Sequence, residues 1–156
     1  MSETSLVTIR QAVAEDAATI ADFNQAMAWE TEQKKLATET ILAGVTALLR
    51  HPDRGFYIVA TTETQVVACL MITFEWSDWR NGLFWWLQSV YVRPNYRRRG
   101  IYRRMYAFIQ HLATNHSPEV CGLRLYVEQD NARAQTTYKA LGMAQSPYLI
   151  FEQLAD

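Results

Sequence analysis

The passage Gln88–Tyr106 constrains this chain more than any other, because it joins a strand end, a tight basic bend and a helix start without a spacer. Leu83–Val92 is rich in aromatic and β-branched residues and predicts a long strand, which Pro94-Asn95 ends. After Gly100 the residues Ile101, Met105, Phe108, Ile109 and Leu112 recur on one helical face. Backbone N–H groups at a helix N-terminus point outward without intrahelical partners, and the helix dipole adds partial positive charge there. A bend of this kind is an anion site, and phosphate is its commonest guest. Gly100 lets a ligand approach the backbone, and Arg97, Arg98 and Arg99 add charge and bidentate donors. The Gly-x4-Gly-Lys-Ser/Thr pattern of nucleoside triphosphatases is absent.

Charge is unevenly spread although the formal net charge is only −1. No Asp or Glu occurs between Trp79 and Pro118, whereas Arg80, Arg93, Arg97, Arg98, Arg99, Arg103 and Arg104 all fall there. A basic island in a near-neutral chain points to one localised anionic ligand rather than to nucleic acid, which usually meets a wider basic surface. Two other readings stay open here. The island can be a solvated arginine face, or it can contact RNA together with Tyr91, Tyr96, Tyr102 and Tyr106.

The rest of the chain reads as one mixed α/β layer. Its 156 residues suit a single domain, 1–156, and 49% apolar with 20% charged residues is the composition of a globular protein. Val7–Arg10 alternates like a first strand, and Glu15-Asp16 opens a helix with Ile20, Phe23 and Met27 at helical spacing. A second helix spans Thr38–Leu49 and stops at His51-Pro52. Strands are predicted at Phe56–Ala60, Val66–Thr73 and Leu83–Val92, the last two joined through a turn at Asn81-Gly82. The arginine bend and its helix follow, then a half-buried strand at Leu123–Val127 and a helix from Asn131 to Leu141 that Gly142 closes. A final strand is predicted at Tyr148–Phe151. No apolar run is long enough to cross a bilayer, and the polar start Met1–Leu6 lacks the pattern of an export signal. Cys69 and Cys121 show no metal spacing and no disulfide framework, so a cytoplasmic location without a metal is expected. His51, His111 and His116 read as surface residues.

Two motifs give the chain a resemblance. Val92-x-Pro94-x-Tyr96-Arg97-Arg98-Arg99-Gly100-Ile101 resembles motif A of the GNAT N-acetyltransferases, Gln/Arg-x-x-Gly-x-Gly/Ala, with Tyr102 where Gly or Ala is usual. About thirty residues on, Asn131-Ala-Arg-Ala134-x3-Tyr138-x2-Leu141-Gly142-Met143 resembles motif B, with Met143 where Phe is usual. Tyr102 either points away beside Tyr106, one helical turn on, or narrows the coenzyme cradle.

The resemblance implies the GNAT acyl-CoA N-acyltransferase fold, a mixed, mostly antiparallel sheet flanked by helices and splayed between its fourth and fifth strands. It also implies acetyl-coenzyme A as co-substrate, no metal, and an amine-bearing small molecule or peptide as acceptor. No nucleic-acid or membrane partner is expected, and a homodimer is a common arrangement. The pantetheine arm would pair with the backbone of Val90, Tyr91 and Val92, in the manner of an added strand. The diphosphate would lie on Arg98, Arg99, Gly100, Ile101, Tyr102 and Arg103, with Arg97 nearby, and Asn131 would reach the coenzyme arm. Tyr138 matches the general acid that protonates the leaving sulfur, and a backbone N–H near Val90 would stabilise the oxyanion. Tyr138 reads equally as packing with Ala134 and Leu141. For the general base Glu75 is the first choice, ahead of Asp78 and Glu128, unless Glu75 pairs structurally with Arg80. Trp76 and Trp79 are expected near the acceptor, and Trp85 and Trp86 in the core. The competing function is a non-catalytic acyl-coenzyme A module on the same fold.

Overall fold

The computed structural model describes residues 6–156, so that of the polar start Met1–Leu6 only Leu6 is included. Residues through Leu125 form one compact unit and Tyr126–Asp156 a second, smaller one.

The first unit holds a five-stranded sheet in the order β1 (Thr8–Gln11), β2 (Gly55–Thr61), β3 (Val66–Ser77), β4 (Gly82–Val92), β5 (Val120–Arg124). The first three pairings are antiparallel and the last is parallel. The β3–β4 hairpin turns at Asp78–Asn81, where Asn81 takes φ +49°, as the Asn-Gly signal requires. Tyr57, Val59, Cys69 and Tyr91 bury one sheet face against Ile20, Ala21 and Phe23 of α1 (Ala17–Glu32) and Val45 and Leu48 of α2 (Thr38–Arg50). Strand alternation sends Ile58, Ala60, Leu70 and Ile72 to the opposite face. There α3 (Ile101–Thr114), which contacts β1 and β2, buries Ile101, Met105 and Ile109. Each such aliphatic side chain removed from water contributes about 1.5–3 kcal/mol.

The β1–α1 junction is held by Asp16. Arg10 donates from Nη1 and Nη2 to its two carboxylate oxygens at 2.7 and 3.0 Å, and the Val13 amide donates at 2.8 Å. Burial alone would push this carboxyl up, but the Arg10 guanidinium and the Val13 N–H outweigh it and hold the pKa below the ordinary value. A depressed folded pKa gives stability that is present above the unfolded value of about 3.9 and lost as pH falls through the folded one. Asp16→Asn is therefore expected to lower the melting temperature at pH 7 by about 2–4 °C, the shift for roughly 1 kcal/mol in a chain of this size. Melting curves recorded between neutral and strongly acid pH check it, because the gap from wild type should close on acidification.

In the second unit, α4 (Ala132–Ala140) starts at Asn131, whose Oδ1 accepts from the Ala134 amide at 3.1 Å. It ends in a Schellman motif: Gly142, at φ +94°, donates to the Lys139 carbonyl and Met143 to the Tyr138 carbonyl, both at 3.0 Å.

Two strands differ from the sequence reading. The strand expected at Leu123–Val127 runs instead over Val120–Arg124, because its parallel ladder with β4 begins at Leu83↔Val120 and ends at Trp86↔Arg124. Tyr148–Phe151 is not a strand. The second unit has no other strand to bond it, and these four side chains are 63–92% exposed. His51 and His111 are exposed as read, but His116 is half-buried, with its ring edge-on to Trp85 at 5.1 Å.

Candidate active site

The sheet opens along one side of β4. The β4–β5 ladder stops at Trp86↔Arg124, whereas β4 runs on through Leu87–Val92 toward the arginine bend. The β3 side of the same stretch carries a bulge. Met71 faces Gln88 and Cys69 faces Tyr91, so Ser89 and Val90 together oppose Leu70, and Ser89 takes φ +51°. A bulge leaves its extra residue outside the ladder and re-aims the backbone. Val90–Val92 thus follow the bulge on the β3 side and lie beyond the last β4–β5 pair on the other.

The bend itself is built from three backbone features. Pro94–Tyr96 form a 3-10 turn, with Tyr96 and Arg97 donating back to Arg93 and Pro94. Arg98 takes φ +62° and Gly100 φ +76°, both left-handed, and this turns the chain into α3. The intrahelical ladder starts with the Arg104 amide on the Gly100 carbonyl at 3.1 Å, and among the described residues no side chain caps the helix. The first-turn amides of Ile101 and Arg103 precede this ladder, the position from which helix N-terminal amides meet an anion. A Cβ on Gly100 would meet nothing within 4 Å, so the space beside it is open. These features fit a coenzyme diphosphate. The Tyr102 ring lies 6.4 Å from that of Tyr106, one helical turn on. Arg99 stands over the Tyr96 ring at 5.3 Å.

Arg97 is anchored rather than extended. Its Nε donates to the Val92 carbonyl at 2.8 Å and its Nη2 to Glu30 on α1 at 2.8 Å, and it lies 5.4 Å from the Tyr91 ring centroid. Tyr91 donates to the other Glu30 oxygen at 3.3 Å. Burial first, and the Glu30 charge next, push the Tyr91 phenol above its ordinary pKa. Sequence reasoning missed Glu30 as a partner of the bend, because 67 residues separate it from Arg97.

Glu75 has two partners, neither of them Arg80. Trp86 Nε1 donates to its Oε1 at 3.0 Å and Arg124 Nη1 to its Oε2 at 2.6 Å. Arg80 lies instead over the Phe84 ring at 5.1 Å. Trp85 is buried as expected, and Trp86 is half-buried with its indole on Glu75 rather than in the core. Trp76 and Trp79 are exposed.

Asn131 and Tyr138 belong to the second unit. Asn131 spends its side-chain oxygen on the α4 cap, and burial pushes the Tyr138 phenol above its ordinary pKa. Both cysteines are free, and burial pushes Cys69 up to about 12. Among the described residues no group of His, Cys, Asp and Glu is placed to hold a metal, and no helix is long and apolar enough to cross a membrane.

Comparison with known proteins follows the same lines. Residues 13–143 match the model of the acetyltransferase (GNAT) family. A possible acetyltransferase from Clostridium difficile 630 is 43% identical, with TM-score 0.90 over 97% of this chain and 99% of that one. An aminoglycoside N-acetyltransferase, AAC(6')-Iy, in complex with CoA shares the fold at 17% identity, with TM-score 0.77 over 95% of this chain and 94% of that one. A ribosomal-protein-alanine N-acetyltransferase from Brucella melitensis biovar Abortus 2308 does so at 16% identity, with TM-score 0.73 over 94% and 99%. No curated protein matches the chain.

Proposed function

The chain belongs to the acetyltransferase (GNAT) family, and from that footing we propose that it transfers an acetyl group from acetyl-coenzyme A to a primary amine by direct attack. The observation that carries this reading is the run of β4 beyond Trp86, which β3 pairs on one side but the β5 ladder no longer reaches on the other, and which leads through the Ser89–Val90 bulge to a helix start that no side chain of the described residues caps. The family span of 13–143 crosses both compact units, which supports treating the chain as one acetyltransferase domain.

In this reading Val90–Val92 hold the pantetheine amides through backbone hydrogen bonds, and the Arg98–Arg103 bend holds the diphosphate. The thioester supplies an activated acetyl group: the C–N bond forms as the C–S bond breaks, and the sulfur leaves needing a proton. The Val90 amide faces the developing oxyanion, and Tyr138 gives the sulfur its proton. Glu75, oriented by Trp86 and Arg124, takes the proton of the incoming ammonium.

A non-catalytic acyl-coenzyme A module is the second reading, and one observation favours it: both oxygens of Glu75 already accept hydrogen bonds. Mass spectrometry of an amine panel incubated with acetyl-coenzyme A and the full chain separates the two. The enzyme reading expects at least one amine to gain an acetyl group in step with thiol release. Coenzyme binding without transfer to any amine supports the module.

The Glu30–Arg97 pair makes a further expectation. Both side chains are about two-fifths exposed, and such pairs contribute about 0.2–1 kcal/mol. Glu30→Gln keeps an acceptor for the Tyr91 hydroxyl but releases Arg97 toward the diphosphate. Coenzyme affinity should rise by up to about fivefold, read as a lower dissociation constant. A weaker complex would show instead that Glu30 positions Arg97 for binding.

A further inference from the structure

The acetyl-transfer reading stops at a primary amine. The residues where the β4–β5 ladder ends say more about the acceptor. Glu75 faces Phe84 across β3–β4, and Phe84 and Trp86 face Gly122 and Arg124 across β4–β5, so Glu75, Phe84, Trp86 and Arg124 share one face of the sheet. Their contacts agree. The Arg124 guanidinium carbon lies 3.5 Å from the Phe84 ring centroid while Nη1 donates to Glu75, and Trp86 donates to the other Glu75 oxygen. Gly122 makes the stack possible, since a Cβ there would sit 2.6 Å from Phe84 Cε1.

Arg124 is therefore a fixed cation, laid on an aromatic face and tied at one nitrogen, and Glu75 is an equally fixed anion beside it. Neither is sealed: the side chains keep 28% and 40% exposure, so a ligand can reach both, and an ion pair this exposed costs little to open. Among the described residues Glu75 is the hydrogen-bonded partner of Arg124, which leaves most of its five-donor fork for a planar anion. A simple amine or a polycation would replace one partner of the pair and face the other as a like charge. A molecule carrying an ammonium and a carboxylate a few ångströms apart replaces both.

We propose that Glu75 and Arg124 select a zwitterionic, amino-acid-like acceptor, with its amine on Glu75 and its carboxylate in the Arg124 fork. This rests on the acetyl-transfer reading of the same site. The ammonium gives one proton to Glu75, which returns it to solvent, and the freed amine attacks the thioester carbonyl. The C–N bond forms, the C–S bond breaks, and the sulfur takes a proton from Tyr138. The second proton of the nitrogen replaces that one through solvent. The products are an N-acetylated carboxylic acid and coenzyme A.

The test compares acceptors that differ only at the carboxylate. Several amino acids, their primary amides and their decarboxylated amines are assayed with acetyl-coenzyme A and the full chain, and kcat/KM is measured for each. The amides have less basic amines than the amino acids and the decarboxylated compounds have more basic ones, so amine basicity is bracketed from both sides. The expected result is at least a tenfold preference for the amino acid over both analogues. In Arg124→Gln that ratio should fall to near one, and in Arg124→Lys, which keeps the charge and loses the fork, to an intermediate value. Because the readout is a ratio within one protein, partial loss of folded protein in a variant does not move it. Acetylation of amides or decarboxylated amines with a kcat/KM equal to or above that of the amino acids, or a preference unmoved in Arg124→Gln, overturns the proposal and leaves the acetyltransferase reading standing. Acetylation of none of these amines overturns the amino-acid acceptor, and the acetyltransferase reading then falls only if the wider amine panel is also unmodified.

Discussion

Tyr138→Phe is expected to lower turnover about a hundredfold while leaving coenzyme affinity within about a factor of two, since a positioned general acid supplies roughly 10²–10⁴ in rate. The substitution keeps the ring and removes only the hydroxyl, so α4 and its Schellman closure at Gly142 and Met143 should survive it. Burial raises the phenol pKa, which favours the protonated form. An acid must be protonated to work, so the rate should hold as pH rises past neutrality, and any loss due to Tyr138 should appear only above about pH 10. Steady-state rates of both proteins across alkaline pH measure this. An unchanged rate in Tyr138→Phe would make the residue a packing element of α4.

The second large effect is on stability. Gly55 opens β2 opposite Thr73 with φ +153°, and a Cβ there would lie 2.0 Å from the Ile72 carbonyl oxygen and 3.1 Å from its carbon. Those atoms are backbone in the middle of the sheet and cannot swing aside as a side-chain tip does. Gly55→Ala must therefore strain or break the β2–β3 ladder, at a cost of about 3 kcal/mol or more. For a chain of this size that lowers the melting temperature by about 6–12 °C. Gly44, inside α2 with nothing within 4 Å of its would-be Cβ, is the control. Gly44→Ala should be neutral or stabilising by about 0.5–1 kcal/mol. Equal melting temperatures for the two variants would show that the sheet can shift at Gly55.

The elements that set the site were legible where local chemistry decides conformation. Pro94-Asn95 ended β4, Gly100 opened α3, Pro52 stopped α2, and Asn131 and Gly142 bounded α4 as read. What pairing decides was not legible. The Ser89–Val90 bulge carries no glycine, and its left-handed Ser89 follows from the register that Met71 and Cys69 impose. The extent of β5 depends on where β4 can still bond it, so alternation alone placed the strand too late. Tyr148–Phe151 has the composition of a strand, but composition supplies no neighbour for it.

Ion pairs showed the same division. A hairpin brings Glu75 and Arg80 near each other in sequence, yet the Glu75 partner Arg124 comes from β5, 49 residues away. Glu30 and Arg97 meet because α1 packs over the end of β4, which no local pattern announces. Gly122 matters only because the Phe84 ring occupies the space that a side chain would need. Each is a fact of register, and register follows from the whole sheet.

Acetyl transfer by this chain depends on the β4 edge and the bend at Pro94–Ile101 forming a coenzyme site. Calorimetric titration of the full chain with coenzyme A tests that most directly. One saturable site per chain is predicted, with a dissociation constant between roughly 1 μM and 1 mM that weakens as salt screens the arginines. No saturable heat at millimolar coenzyme, or binding indifferent to salt, would contradict it.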